Sequence, residues 1–192
     1  MPVKLVTPNL TLLPSYLAAL ERYWTPNHDR DPAGARQLLD AILRDPATFL
    51  ASLSNPEGKG SPIVLEDGTA VPRLPFTRYW ISDGEYAGEI NLRWQLGTSE
   101  LPAYCLGHIG YAVVPWKRNA GYASLAIRQL LPIAHKFDLK WLDISMAANN
   151  IASRRTAEKA GAILIKEFNA GAEYGNVDAL LYQLPVHVVL QN

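Results

Sequence analysis

The apolar pattern changes period several times along the chain, and each change marks an element. Val3–Val6 is a short β-rich run stopped by Pro8 and predicts a first strand. From Ser15 the period becomes helical: Leu17, Leu20 and Trp24 share one side, with Ser15 as the expected N-cap and an end near Tyr23. Asp31 before Pro32 predicts a second helix start, because proline fits the first helical position. Leu38, Leu39, Ile42 and Leu43 form its apolar stripe. Residues 54–75 are rich in Pro, Gly, Ser and Asn and predict loop, around a short strand at Ile63–Leu65.

The period then falls to two. Thr77–Ser82 and Glu89–Gln95, separated by Asp83-Gly84, predict an antiparallel hairpin. In its second strand Ile90, Leu92 and Trp94 alternate with Glu89, Asn91 and Arg93, giving one apolar and one polar face. Cys105–Val114 predicts a third central strand. Ala123, Ile127, Leu130, Leu131 and Ala134 return to helical spacing. Pro132 is expected to kink or divide that helix, because it removes the bond to the Arg128 carbonyl. Trp141–Met146 is another strand, Asn149 or Asn150 caps a helix ending near Gly161, and Ala162–Phe168 and Ala179–Leu184 close the sheet. This order predicts an α+β fold with a mixed sheet, in one domain.

Composition narrows the function classes. A length of 192 residues suits a single domain, and 48% hydrophobic with 19% charged residues is ordinary for a globular chain. Lys+Arg and Asp+Glu balance at 18 each, which argues against an electrostatic partner such as nucleic acid or a membrane surface. The single cysteine, Cys105, excludes an internal disulfide and fits a reducing compartment. No apolar run reaches the roughly 18–20 residues of a membrane span. The Pro-broken start lacks a secretory pattern, so a cytoplasmic location is expected.

Two stretches carry candidate chemistry. Arg118-Asn119-Ala120-Gly121-Tyr122-Ala123 opens a helix directly after a strand ended by Pro115. Free N–H groups at a helix start converge on one small volume and favour an anion such as pyrophosphate. Gly121 and Ala123 keep that volume open, and Lys117 and Arg118 add positive charge. An ordinary strand-to-helix turn with solvated bases has the same residues. The second stretch is Asn150-Ile151-Ala152-Ser153, with Gly161 beyond it. Asn150 and Ser153 lie one turn apart and offer donors and acceptors to an amide-rich chain. Helix capping explains the same pattern.

Taken in this order, with a strand between them, the two stretches resemble the Gcn5-related N-acetyltransferase (GNAT) superfamily. Arg118-x-x-Gly121-x-Ala123 matches the family's Gln/Arg-x-x-Gly-x-Gly/Ala loop, and Asn150, Ser153 and Gly161 match its second pattern. The run over 108–161 looks most like a poorly characterised bacterial group of predicted acetyltransferases. The resemblance implies a three-layer fold whose mixed, mostly antiparallel central sheet has a splayed strand pair and flanking helices. It implies acetyl-CoA as co-substrate, with no metal. Residues 118–123 would hold the pyrophosphate, Val113 and Val114 would pair with the pantetheine arm, and Asn150 and Ser153 would bind it from the other side. Elements 1–76 would serve the acceptor and 77–192 would form the acetyl-CoA core. The expected partners are acetyl-CoA and an amine, with no nucleic acid or membrane, and the chain a monomer or homodimer.

One departure matters. Many GNAT enzymes have a tyrosine seven residues after the asparagine to protonate the CoA thiolate; here Ala157 stands there. The expected reaction is direct acetyl transfer to a primary amine of a small molecule, peptide or protein. A non-catalytic acyl-CoA-binding module and an enzyme using another acyl-CoA donor stay open. Candidate catalytic groups are Glu89 on the hairpin's polar face, His108 with its near-neutral intrinsic pKa, and Tyr111 if the opposite face of its strand meets the slot. Glu89 and His108 read first as structural strand residues, and which face of the strand Tyr111 presents to the slot stays open. Asp143 is an outside candidate, and Cys105 lacks the partners of a covalent nucleophile. Tyr79, Trp80, Tyr86 and Trp94 read as core or as an acceptor wall, and Arg154-Arg155 as a solvated face in preference to a contact with the 3′-phosphate of CoA. Glu21, His28, Asp29 and Asp31 have no defensible metal spacing.

Overall fold

The computed structural model describes residues 2–26 and 32–186. The expected cap Asp31 and the residues His28 and Asp29 lie outside them. In chain order the elements are β1 (Lys4–Val6), α1 (Leu13–Glu21), α2 (Pro32–Arg44), α3 (Pro46–Ser52), β2 (Ser54–Asn55), β3 (Ile63–Val64), β4 (Ala70–Val71) and β5 (Phe76–Ser82). Then follow β6 (Tyr86–Arg93), β7 (Ile109–Val113), α4 (Tyr122–His135), β8 (Trp141–Ala147), α5 (Ile151–Ala160), β9 (Ile163–Asn169) and β10 (Asp178–Pro185). One antiparallel sheet has the order β1-β5-β6-β7 with β2 also beside β5, and a second has β8-β10-β9. The fold is α+β, and no helix among the described residues is long and apolar enough to cross a membrane.

Alternation along β6 divides the core. Ile90 and Leu92 pack with Ile127 and Leu130 of α4, and this cluster continues through Leu142 and Ile144 into the second sheet. On the other face Trp80 and Tyr86 pack with Tyr16, Leu20 and Trp24 near α1 and with Ile42 of α2. Tyr16 stacks on Trp80 at 5.2 Å between centroids and meets Tyr86 edge-on at 4.8 Å. Trp80, Tyr86 and Trp94 are therefore core residues, and Tyr79 packs against the α4-side cluster.

Several expectations need correction. Ser15 does not cap α1; its hydroxyl donates to the Leu12 carbonyl and accepts the Tyr86 N–H, each at 2.8 Å, tying the helix to β6. Asp45 caps the unanticipated α3, accepting the Thr48 N–H at 3.0 Å. The strand expected from Cys105 begins only at Ile109, because the Cys105 N–H turns back to the Pro102 carbonyl. Pro132 sits in the last turn of α4, which runs on to His135 undivided. The polar face of the hairpin is not solvated: Glu89 is 5% exposed, under α1. Leu43 of the α2 stripe is 60% exposed, while Ala35 and Ile42 turn inward.

The buried alternation sets a stability contrast. Ile90→Ala, at a position with no exposed surface, lowers unfolding free energy by about 2–5 kcal/mol in urea denaturation. Leu43→Ala stays within about 0.5 kcal/mol.

Candidate active site

Two strands that meet at one end part at the other. His108, just before β7, donates its N–H to the Asp143 carbonyl of β8 at 2.8 Å, and the Asp143 N–H donates to His108 Nδ1 at 2.9 Å. Among the described residues no other main-chain hydrogen bond joins 107–114 to β8. Beyond this junction a cleft of about 850 Å³ opens. Tyr111, Ala112 and Val113 line it from β7, Asn150 to Ser153 with Arg155, Thr156 and Lys159 from α5 and its cap, and Gly121 to Ser124 from the start of α4. Its size falls within the range of small-molecule and cofactor sites.

The start of α4 is shaped by two left-handed residues, Asn119 at φ 62° and Gly121 at φ 79°. Gly121 is the N-cap, and the Ser124 hydroxyl donates to its carbonyl at 2.9 Å. The first N–H groups of a helix have no intrahelical acceptor, so this end presents donors and positive potential to the cleft. A Cβ at Gly121 would point toward Lys159 Nζ, 3.7 Å away. A second glycine lets β6 lie close against β7: at Gly88, φ 152°, a Cβ would lie 2.2 Å from the Ala112 carbonyl oxygen.

Charge is distributed differently from the expectation. Lys117 is held by Asp83 at 2.7 Å and Glu85 at 3.2 Å, so its charge is largely met by the hairpin turn. The Tyr122 hydroxyl donates to the same Asp83 at 2.8 Å. Burial alone would raise Asp83, but these partners hold its pKa down at about 2. Arg118 donates through Nε to the Val113 carbonyl at 2.9 Å, capping the end of β7. Val114 is fully buried in the α1-side cluster, and its N–H goes to Ala87, so it does not line the cleft. Ala120 is exposed and also outside the lining.

On the α5 side Asn150 Oδ1 caps the helix by accepting the Ser153 N–H at 3.0 Å, and Gly161 ends it at φ 102°. The Ser153 hydroxyl meets the Tyr111 hydroxyl at 2.8 Å, bridging β7 and α5. Burial raises the Tyr111 pKa, with the Ser153 bond opposing. Glu89 stands opposite Ala112 in the β6–β7 register, on the α1 side. Its carboxylate pairs with Arg78 at 2.8 Å and accepts from the Tyr86 hydroxyl at 3.4 Å. Burial outweighs both and raises its pKa to about 7. His108 has no exposed surface and does not line the cleft, and burial lowers its pKa to about 4. Glu89, Asp143 and Cys105 are likewise outside the lining, Glu89 lying behind Ala112 on the α1 side.

The family model described as "Acetyltransferase (GNAT) domain" matches residues 13–163. The chain belongs to the GNAT acetyltransferase family. No curated relative matches it in sequence. Among solved structures it is similar to the microcin C7 self-immunity acetyltransferase MccE in complex with acetyl-CoA and AMP. That likeness has a TM-score of 0.60 at 13% identity, over 96% of this chain and 92% of that one. It is also similar to RimL, the ribosomal L7/L12 alpha-N-protein acetyltransferase, in complex with CoA: TM-score 0.58, 13% identity, 97% and 95% covered. The aminoglycoside acetyltransferase AAC(6')-Ib with CoA gives 0.56 at 14%, over 96% and 95%. At these identities the likeness concerns the fold.

In this GNAT chain Ala157 has no exposed surface and packs in the core, so the position of the absent tyrosine faces away from the cleft. Thr156 and Arg155 line the cleft instead, whereas Arg154 pairs with Glu158 along the helix. Sequence reasoning missed Lys159 and assigned Arg155 to a solvated face. Their signal was helical spacing, since Ile151, Arg155 and Lys159 recur every four residues along one side of α5.

The Asp83 tether makes a pH prediction. A depressed carboxylate contributes stability above its unfolded pKa of about 3.8, and loses it as pH falls through about 2. Asp83→Asn lowers Tm at neutral pH, and the gap from wild type narrows as thermal unfolding is followed from pH 4 downward.

Proposed function

We propose that this chain is an acetyl-CoA-dependent N-acetyltransferase that moves the acetyl group directly to a primary amine of a small molecule, peptide or protein. The observation that carries the reading is the cleft itself. One wall is the parted edge of β7, the other is α5, and a left-handed glycine opens a helix start between them. The extended arm of an acyl-CoA fits beside β7, with its pyrophosphate at Gly121–Ser124 and the cations of Arg155 and Lys159 close by. Elements before residue 77 then serve the acceptor side, and those after it the acyl-CoA side.

Glu89 has the properties of the general base. It is buried beside Ala112, and its pKa near 7 lets it accept a proton at neutral pH. Glu89 takes a proton from the ammonium directly or through water, and the neutral amine attacks the thioester carbon. Its nitrogen gives up a second proton as the amide forms, which restores the Tyr111 phenol after the next step. The C–S bond breaks, and the departing thiolate takes a proton from Tyr111, the cleft-facing phenol. A phenol from β7 thus takes the task that other family members give to a tyrosine on the helix.

The test is calorimetry with acetyl-CoA, followed by thiol release with a panel of amines. Wild type binds acetyl-CoA and releases CoA with a subset of the amines; absence of binding sinks the proposal. Gly121→Val, which strains φ 79° and fills the cradle, weakens binding by about tenfold or more. Glu89→Gln lowers kcat/KM by about 10²–10⁴ and removes the rising limb of the pH profile near pH 7. Tyr111→Phe lowers kcat while leaving acetyl-CoA affinity close to wild type; an unchanged kcat would remove Tyr111 from the mechanism.

A further inference from the structure

His108 is a buried titratable group that the proposed chemistry does not use, and its surroundings are unusual. The residue belongs to both sheets at once. Its carbonyl accepts the Arg93 N–H from β6 at 2.8 Å, and its N–H donates to the Asp143 carbonyl of β8. The imidazole then supplies a second bond to β8, with Nδ1 accepting the Asp143 N–H. A side chain thus stands where a sheet would place a main-chain carbonyl. That assigns the proton to Nε2, which is buried and turned toward the Ser99 main chain. The Asp143 carboxylate is 3.6 Å from Nδ1; burial above all, and then Arg93, disfavour the imidazolium and outweigh the Ser99 main chain, which favours it. A neutral ring therefore holds the junction.

We propose that His108 is a positioning residue that fixes the point at which β7 and β8 part, and through it the width of the acyl-CoA slot. This inference rests on the reading of the cleft given above. Without the imidazole acceptor, one of the two bonds at the junction is lost, and the parting moves toward the base of β7. The slot then loosens around Tyr111–Val113, although no residue that lines it has changed. Gly107 reinforces the junction: a Cβ there would lie 3.2 Å from the Asp143 carbonyl oxygen and from Ser145 N and Oγ. The chain approaches β8 closely just before His108 and leaves it just after.

Three variants test this. In His108→Asn the side-chain oxygen stands where Nδ1 stood; in His108→Gln it is displaced by one bond; in His108→Leu it is absent. The readouts are acetyl-CoA affinity by calorimetry, a KM-against-kcat split, and amide hydrogen exchange by NMR. His108→Asn keeps KM for acetyl-CoA within about threefold of wild type, whereas Gln and Leu raise it about tenfold or more with kcat at saturation little changed. In the Gln and Leu variants the amides of Asp143, Ala112 and Val113 exchange faster while core amides such as Leu130 keep their protection. Equal KM in all three variants, or failure of Asn to rescue, overturns the proposal. So does uniform acceleration of every amide, which marks a loss of global stability alone. If His108→Leu fails to fold, the Asn–Gln comparison decides. If wild type binds no acetyl-CoA, the reading of the cleft fails, and exchange at Asp143 still decides the role of His108.

Discussion

The molecule depends on β7 being bound along one edge and released along the other. Its antiparallel partner β6 satisfies one side from Ile109 to Val113. On the other side the hydrogen bonds to β8 stop at His108–Asp143. An unpaired strand edge is normally a liability, because its N–H and C=O groups need partners. Here the edge faces a cleft whose opposite wall is a helix, so the unmet groups are available to a ligand. The helix start at Gly121, the cap at Asn150 and the Tyr111–Ser153 bridge have a common site because the strands separate there.

The same hairpin that holds β7 also sets the electrostatics on its far face. Glu89 emerges from β6 into an aromatic layer of Tyr16, Trp80 and Tyr86, where desolvation outweighs its Arg78 partner. Asp83 at the hairpin tip does the reverse. It remains ionised, held by Lys117 and Tyr122, and so anchors the turn that leads into the cradle. Two carboxylates six residues apart are thus tuned in opposite directions, one by burial and one by close donors. With Lys117 committed to the hairpin, the positive charge left facing the cleft from α5 is that of Arg155 and Lys159.

Much of the fold was legible because its periods are clean. The β5–β6 hairpin, α4, β8 and the closing strands follow directly from alternation and helical spacing. The errors arose where a distant partner outweighed a local preference. Ser15 looks like an N-cap, yet its hydroxyl is engaged by Tyr86 on a strand seventy-one residues away. Cys105–Gly107 has strand-like neighbours, but a turn at Pro102 and the close approach to β8 take it out of the sheet. The polar face of β6 has the pattern of a solvated surface, and only the packing of α1 over it makes Glu89 a buried acid.

The sequence by itself determined most of the elements, the need for a glycine at Gly121 and at the helix end Gly161, and the two motifs at either side of the cleft. Those are local properties: a missing Cβ, a capping side chain, a repeat of apolar positions. Tertiary structure decided which of these residues meet. It turned His108 into the junction of two sheets, moved Val114 into the core, assigned Lys117 to Asp83, and brought Lys159 beside Gly121. The reason is that direction, desolvation and charge pairing depend on what lies opposite a residue in space, and spacing along the chain does not encode that.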